Sequence, residues 1–372
     1  MKRDAHYYAI LAFCRACGFK KASAHVIAYA SQFVDDAKIN LIFFRKHSVL
    51  TFEHDIVQNR PAFFNMATCH SYFRMKTFSY EAMVNNTSAF HFVPGCQGEN
   101  FTKKLRCKEQ SPVILDILKD VLVEDDLVKL GIVLHAYVDT YSHQGFSGLL
   151  SKVNDIKRCQ ASNKVNLGLL ERIINTFKQF SQDKYDKYLD RIMPAYGHAQ
   201  ALDFPDIPYL AWSYEYDYSD EFHGSYKKVE IDNTDRYKRA FSATTKFLEN
   251  YLIRHPQHSD SSLKFDNIDI LMDTLILEAA DKKRENNWKR ILVDQGLFNK
   301  EDKELLNYSA DQWLEEAFSN FNRKVFDNRQ VEGVQLADNF LASNWYHFYL
   351  SVKWYKRKFF QYCLKYKLSI PN

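Results

Sequence analysis

Three potential metal ligands follow one another at four-residue intervals near the middle of the chain. His135, Asp139 and His143 lie in the stretch LVKLGIVLHAYVDTYSHQGFSG, which spans residues 127–148. An α-helix turns by about 100° per residue, so side chains spaced by four residues twice over fall within an arc of roughly 80°. Neutral imidazoles and an ionised carboxylate suit zinc and related metals, and one carboxylate can bridge two ions. The spacing therefore predicts a metal centre on one face of a helix.

The alternative to a metal site is an amphipathic helix whose buried histidine is satisfied by ordinary hydrogen bonds. For any one of these residues alone, that alternative is preferred. The neighbours Leu130, Val133 and Leu134 are apolar enough to bury this helix. Buried ligands would be costly without a metal or hydrogen-bond partners. The three residues together favour a metal.

The composition indicates a helical globular protein. Of 372 residues, 46% are hydrophobic and 26% are charged, and Gly (11) and Pro (8) are few beside Phe (29) and Tyr (23). Scarce turn formers argue against a turn-rich β-sandwich. We therefore predict an all-α fold, a multi-helix metal-binding core with long loops and an added C-terminal helical region. The net charge of +4 neither requires nor excludes a polyanionic partner.

The sequence also bears on location. Its first residues are not followed by an apolar stretch typical of a secretory signal, and no run approaches the ~18 apolar residues of a membrane span. We predict a cytoplasmic protein without a transmembrane segment. The seven cysteines are scattered, and no second CxxC accompanies Cys14 and Cys17 to complete a thiolate zinc site, so reduced thiols are expected.

Further candidate ligands lie upstream of the central helix. His6 is in the first predicted helix, and a second predicted helix over 22–36 ends in Asp35 and Asp36. Acids at a helix C-terminus oppose its dipole, which a metal would compensate, although solvation is the better explanation for Asp36. Between residues 39 and 108 the pattern is irregular. His70 and His91 are candidates there, and the apolar flanks of His91 favour its burial.

Downstream of the central helix, a long helix is predicted over 165–190, followed by a polar turn over 196–208. The turn carries His198, Asp203 and Asp206, and two prolines fix it as a loop. Ligand-type residues become sparse afterwards. We therefore divide the chain into a metal-binding helical domain, 1–215, and a C-terminal helical region, 216–372, for scaffolding or recognition.

The last predicted helix, over 331–367, interleaves aromatic and basic residues. Trp345, Trp354 and Phe359 alternate with bases that include Lys353 and Lys356. Aromatics among bases can stack on nucleobases or enter a lipid interface, which would give a peripheral contact with a polyanion or membrane. The alternative is a terminal helix with an aromatic core face and a solvated basic face.

Taken together, these segments resemble the zinc phospholipase C and single-strand-specific nuclease superfamily. The resemblance covers about the first 215 residues, in the same order. It rests on His6, SQFVD at 31–35, FHF at 90–92, HAYVD at 135–139 with His143, and His198 with Asp203 or Asp206. The set DxHYY, VDD, FHFVPG, LHxxxDTxxHQGFSG and GH…PDxP more closely resembles an uncharacterised bacterial family without an assigned activity.

The resemblance implies two or three metal ions, zinc by analogy, with iron or manganese credible for nitrogen and oxygen ligands in the cytoplasm. It implies catalytic roles for Asp35 and Asp139. The implied ligand sets are Asp35, His91, His135 and Asp139 for one ion, His6, bridging Asp139 and Asp4 for a second, and His143, His198 and Asp203 or Asp206 for a third.

Two departures from the superfamily pattern concern the second and third sets. In the superfamily the processed N-terminal residue binds metal through its amine, whereas this chain begins Met1-Lys2-Arg3, and Asp4 is the substitute. The last His and acid are usually four residues apart, but position 202 is Leu.

The function implied is a metal-dependent phosphoester hydrolase, a phosphodiesterase acting on nucleic acid or nucleotide. Metals can generate a hydroxide nucleophile near neutral pH, so no side-chain nucleophile is needed. The sequence also lacks a G-x-S-x-G motif, a P-loop and a G-x-G-x-x-G motif. The alternatives are a cytoplasmic-side phospholipase C-like enzyme and a non-enzymatic metal-stabilised interaction module. The oligomeric state stays open.

Overall fold

The computed structural model describes residues 1–45, 52–69, 79–162, 196–216, 228–326 and 330–370. His70 and the helix predicted over 165–190 lie outside these residues.

Helices form most of the described chain. They are α1 (Ile10–Ala16), α2 (Lys21–Asp36), α3 (Tyr80–Ala82), α4 (Ala89–His91), α5 (Phe101–Lys104), α6 (Pro112–Leu122), α7 (Leu127–Ser142), α8 (Asn233–Arg254), α9 (Ile268–Leu275), α10 (Asp281–Asp294), α11 (Lys303–Leu306), α12 (Gln312–Ala317), α13 (Arg323–Phe326) and α14 (Asn344–Lys365). π-Helical turns at Asp4–Ala9 and Met83–Ser88 precede α1 and α4.

Two β-sheets accompany the helices, so the all-α prediction is wrong and the fold is mixed α and β. The strands are β1 (Leu41–Phe44), β2 (Asp55–Val57), β3 (Arg60–Phe64), β4 (Ile156–Ala161), β5 (Ala211–Tyr216), β6 (Val229–Asp232) and β7 (Gln330–Val334). Their orders are β2-β3-β1-β7 and β4-β5-β6.

The first sheet shows why the composition misled. Its strands have three to five residues, too few for periodicity to separate them from helix or loop. Strand β1 pairs antiparallel with β3, where Ile42 faces Phe63, and parallel with β7, where Ile42 faces Val331. The helix predicted over 331–367 therefore begins with a strand whose partner is almost 300 residues away.

Helix α7 is the centre of the packing. It begins at an N-cap, Asp126, whose Oδ1 accepts hydrogen bonds from the N–H groups of Val128 and Lys129. Gly131 brings it close to α2, since a Cβ atom there would lie 2.3 Å from the carbonyl oxygen of Ile27. The close approach of α2 and α7 places their C-terminal residues side by side.

Segments from both sides of residue 215 pack together. Besides the β1–β7 pairing, α8 and α14 contact α7, and Arg284 pairs with Asp4 at 2.6 Å. The predicted regions 1–215 and 216–372 thus share a sheet, a helix packing and an ion pair. The division itself stays a prediction.

The aromatic residues of α14 face the core. Trp345, Phe348 and Phe359 are at most 1% exposed. Several bases of this helix form ion pairs, including Lys353 with Asp55 at 3.0 Å. For the aromatic residues, this arrangement matches the alternative of a terminal helix with an aromatic face in the core. A contact of the basic residues with a polyanion stays a prediction. Across the described residues, no helix has the length and apolar character needed to cross a membrane.

Candidate metal centre

The three residues at four-residue intervals lie together at the C-terminal end of α7. His135 and Asp139 are fully buried within the helix, and His143 is its C-cap residue. The N–H of His143 donates to the carbonyl oxygen of Asp139 at 3.0 Å, which continues the helical geometry to the third residue.

Two neighbouring helices complete a first cluster, which we call the Asp35 group: Asp35, His91, His135 and Asp139. Asp35 is the penultimate residue of α2, and His91 is the last residue of α4. Nδ1 of His91 lies 3.1 Å from Nε2 of His135, and these nitrogens lie 3.2 and 3.4 Å from Asp139 Oδ2. Both lie 3.8 Å from Asp35 Oδ1. Ligands about 2.0–2.2 Å from a tetrahedral ion are about 3.3–3.6 Å apart, which these spacings approximate.

A second cluster, the His198 group, consists of His143, His198 and Asp206. Nε2 of His143 lies 3.0 Å from Asp206 Oδ1, and Nε2 of His198 lies 3.4 Å from Asp206 Oδ2. Asp203 instead pairs with Lys2 Nζ at 2.6 Å, and its side chain is 41% exposed. Of the two acids left open by the sequence, the structure therefore places Asp206 in the cluster.

His6 lies against the Asp35 group. It is fully buried, its ring stacks on that of His135 at 3.8 Å, and its Nε2 lies 3.1 Å from Asp139 Oδ1. Nδ1 has no hydrogen-bond partner among the described residues, and the contact of Nε2 with Asp139 lacks the alignment of a hydrogen bond. Burying a polar group without a partner is costly, and a metal ion would satisfy Nε2. The donor set therefore fits a metal.

The position predicted for Asp4 is taken by the nitrogen of Met1. This amine lies 2.7 Å from Asp139 Oδ1 and 3.0 Å from Asp206 Oδ1. Burial alone would lower its pKa, but the carboxylates of Asp139, Asp206 and Asp35 raise the pKa to about 11. The Asp4 carboxylate instead pairs with Arg284, and Asp4 is in none of the ligand groups that the described residues form.

Backbone carbonyls orient three of the histidines. His91 Nε2 donates to the Thr68 oxygen at 2.9 Å, and Nδ1 of His143 and of His198 donate to the oxygens of His91 and Leu202, each at 2.7 Å. In each ring, the opposite nitrogen faces a carboxylate. Histidines that bind metals are typically held by such a bond from the second nitrogen. The sequence does not predict these contacts, because the acceptors are backbone carbonyls and every residue type has one.

Burial and charge set the protonation states of the cluster. Burial lowers the pKa of His135 to about 4 and that of His6 well below its usual range. Burial alone would raise the pKa of Asp139, but the Met1 amine and neighbouring histidines hold it well below the usual value. Neutral imidazoles and an ionised carboxylate are the forms that bind metals. Asp35 differs, since burial raises its pKa to about 7.

A family model described as a family of unknown function, DUF6765, matches residues 1–363. The chain belongs to this family. All ligand-type residues of the two groups, together with His6, lie within the part of the chain that matches DUF6765. Comparison with curated proteins gave no match, and comparison with solved structures gave none. Membership of DUF6765 assigns no activity, so the superfamily resemblance stays a prediction.

Proposed function

We propose that this protein is a metal-dependent phosphoester hydrolase, a phosphodiesterase acting on nucleic acid or nucleotide. The observation that carries the proposal is the position of Asp139. Its Oδ2 faces His91 and His135, its Oδ1 faces His6, and the His198 group begins one helical turn further on. A carboxylate between two sets of imidazoles suits a bridge between two ions.

The residues that would hold the metals follow from these contacts. The Asp35 group supplies two carboxylates and two imidazoles, and the His198 group supplies one carboxylate and two imidazoles for another ion. His6 and Asp139 Oδ1, next to the Met1 nitrogen, supply a third position. Zinc suits these nitrogen and oxygen donors, as do manganese and iron. When bound, such ions act as Lewis acids toward a phosphoester.

The chain's own residues would orient the reaction. Asp139, buried and held by several contacts, fixes the spacing between the first and second positions. The side chain of Asp35 is 28% exposed, whereas that of Asp139 is 1% exposed. Asp35 is therefore the carboxylate of its group that solvent reaches, and we assign to it the acceptance of a proton from attacking water. The buried His6 and His135 exclude water from the opposite side.

The test measures metal content and hydrolysis on the same preparations. Elemental analysis after dialysis should find bound metal, and a chromogenic phosphodiester should be cleaved, with loss on chelation and recovery on adding zinc, manganese or iron. His135→Ala should lose both properties. Asp203→Ala, the matched control outside the cluster, should keep both.

The remaining outcomes separate the alternatives. Cleavage of phosphatidylcholine vesicles but not of single-stranded DNA would favour a phospholipase C-like enzyme over a nuclease. Bound metal without hydrolysis of any of the three substrates would support a metal-stabilised interaction module. Absence of bound metal in the wild-type protein, even after its addition, would overturn the proposal.

A further inference from the structure

The segment 65–68 connects the metal-ligand helices to each other. The Thr68 carbonyl accepts the hydrogen bond from His91 Nε2 at 2.9 Å. The Thr68 hydroxyl donates to the Val34 oxygen at 2.7 Å, and its N–H donates to the Ala37 oxygen at 3.0 Å. Val34 and Ala37 flank Asp35 and Asp36. Thr68, which is fully buried, therefore links the end of α2, which bears Asp35, to the imidazole of His91.

A buried lysine of α14 holds this segment from the other side. Lys356 Nζ donates to the Asn65 carbonyl at 2.8 Å, to Asn65 Oδ1 at 3.0 Å and to the Ala67 carbonyl at 3.0 Å. It also donates to Asn86 Oδ1 at 3.3 Å, in the π-helical turn that leads into α4. The side-chain nitrogen of Lys356 thus contacts two segments next to His91: the segment that accepts from its ring and the π-helical turn before its helix.

The preceding residue of α14 adds a third contact. The Tyr355 hydroxyl donates to the Ala89 carbonyl at 2.8 Å, within α4 itself. Helix α4 is the last part of a continuous helical stretch over 80–91 and ends at His91. The Tyr355 contact therefore holds the end of that stretch that bears the imidazole.

The choice of lysine here is informative because burying an ammonium group is costly. Lys356 is 5% exposed, and all four of its acceptors are uncharged oxygens. An apolar side chain would fill the same volume without that cost. The benefit of lysine is directional, since its N–H donors fix two backbone oxygens and two side-chain amide oxygens in place.

We propose that Lys356 is a positioning residue for the Asp35 group. By fixing segment 65–68, it keeps the Thr68 carbonyl in line with His91 Nε2, so the hydrogen stays on Nε2. Nδ1 then faces the cluster, 3.1 Å from Nε2 of His135 and 3.2 Å from Asp139 Oδ2. Its effect on metal affinity rests on the proposed function, whereas its effect on the histidine tautomer does not.

The experiment compares Lys356→Met and Lys356→Arg with Lys353→Met, a control on the same helix whose lysine pairs with Asp55. Imidazole ¹⁵N NMR of the metal-free protein, at a pH where His91 is neutral, reports its tautomer. Competition with a chromogenic chelator reports zinc affinity. Wild type and Lys353→Met should show hydrogen on Nε2. Lys356→Met should show both tautomers and bind zinc about tenfold or more weakly, the usual effect of losing an outer contact. Lys356→Arg should keep the hydrogen on Nε2 and the zinc affinity of the wild type.

The two readouts fail independently. A folded Lys356→Met protein with an unchanged His91 tautomer would overturn the positioning role, whether or not zinc binds. If Lys356→Met shows both tautomers but the wild-type protein binds no zinc, the positioning role is supported and the proposed function is overturned. If Lys356→Met does not fold, Lys356→Gln is measured in its place. Its amide keeps two N–H donors on a side chain one atom shorter, so it reaches fewer of the four oxygens and should show the same two changes at smaller size. An unchanged His91 tautomer in folded Lys356→Gln would overturn the positioning role.

Discussion

Oδ1 of Asp139 lies 3.1 Å from Nε2 of His6, in a contact without the alignment of a hydrogen bond. The other oxygen of the same carboxylate lies between His91 and His135. A carboxylate placed between two sets of imidazoles is the feature that most strongly distinguishes this cluster from an ordinary buried polar network.

Asp139→Ala should remove more than one equivalent of metal, because both oxygens of a bridging ligand disappear together. Elemental analysis of wild-type and variant protein after identical dialysis measures the loss. Asp203→Ala, with its exposed side chain, should lose none. Unchanged metal content in Asp139→Ala would exclude the bridging role.

Chelation should lower the melting temperature. A metal that binds only the folded state stabilises it by roughly 3–4 kcal/mol when its free concentration is 100–1,000 times the dissociation constant. Differential scanning calorimetry with and without chelator measures the shift. Chelator should have little effect on His135→Ala, which controls for unspecific action, and an equal shift in that variant would argue against this site as the origin.

Asp4→Asn should destabilise the protein without changing its metal content. Asp4 is 2% exposed and accepts from Arg284 Nε at 2.6 Å, and removing one partner of a buried ion pair typically costs about 3–5 kcal/mol. Asp281 pairs with the same arginine but is half-exposed, so Asp281→Asn should cost at most about 1 kcal/mol. Denaturant titration and elemental analysis test both. If folded Asp4→Asn loses metal, Asp4 is a metal ligand after all.

Stability should increase with pH between about 4 and 6.5 because of His25. Burial lowers its pKa from 6.5 to about 4, so the unfolded state binds more protons in that window and acidification favours unfolding. Below about pH 4, the free energy of unfolding should be about 3 kcal/mol lower than it would be with an unshifted histidine pKa. His25→Asn, which keeps a donor toward the Tyr7 hydroxyl, should show a smaller loss. Denaturant titrations at several pH values measure the difference, and parallel curves would contradict it.

Substitutions in α14 should separate its aromatic core from its basic surface. Trp345→Ala should destabilise the protein by about 3–5 kcal/mol, because the ring is 1% exposed. Arg357→Glu, on the exposed face, should leave the melting temperature unchanged and weaken any binding to single-stranded DNA. Binding isotherms at several salt concentrations test the second part, since each phosphate contact contributes about −0.7 to the logarithmic salt slope. An unchanged slope would remove Arg357 from such an interface.

The sequence by itself determined the features that depend on local geometry. Helical rotation alone places His135, Asp139 and His143 on one side of a helix, and the structure has them at the end of α7. The order of the ligand-type segments along the chain was also visible. The choice between Asp203 and Asp206 was not, because it depends on the path of a loop and on the ion pair that Lys2 offers to Asp203.

Only the tertiary structure decided what depends on distant partners. Strands β1 and β7 exist because each completes the other's hydrogen bonds across almost the whole chain, so neither shows a sufficient pattern alone, and the all-α prediction failed there. Asp4 likewise pairs with a distant partner, Arg284, instead of a metal-ligand group. Thr68 accepts from His91 through its carbonyl, and Lys356 contacts two backbone oxygens and two side-chain amide oxygens that are distant in the chain. The sequence holds no signal for these contacts. Burial and pairing are properties of the folded chain, and they decide which polar residues face a common point.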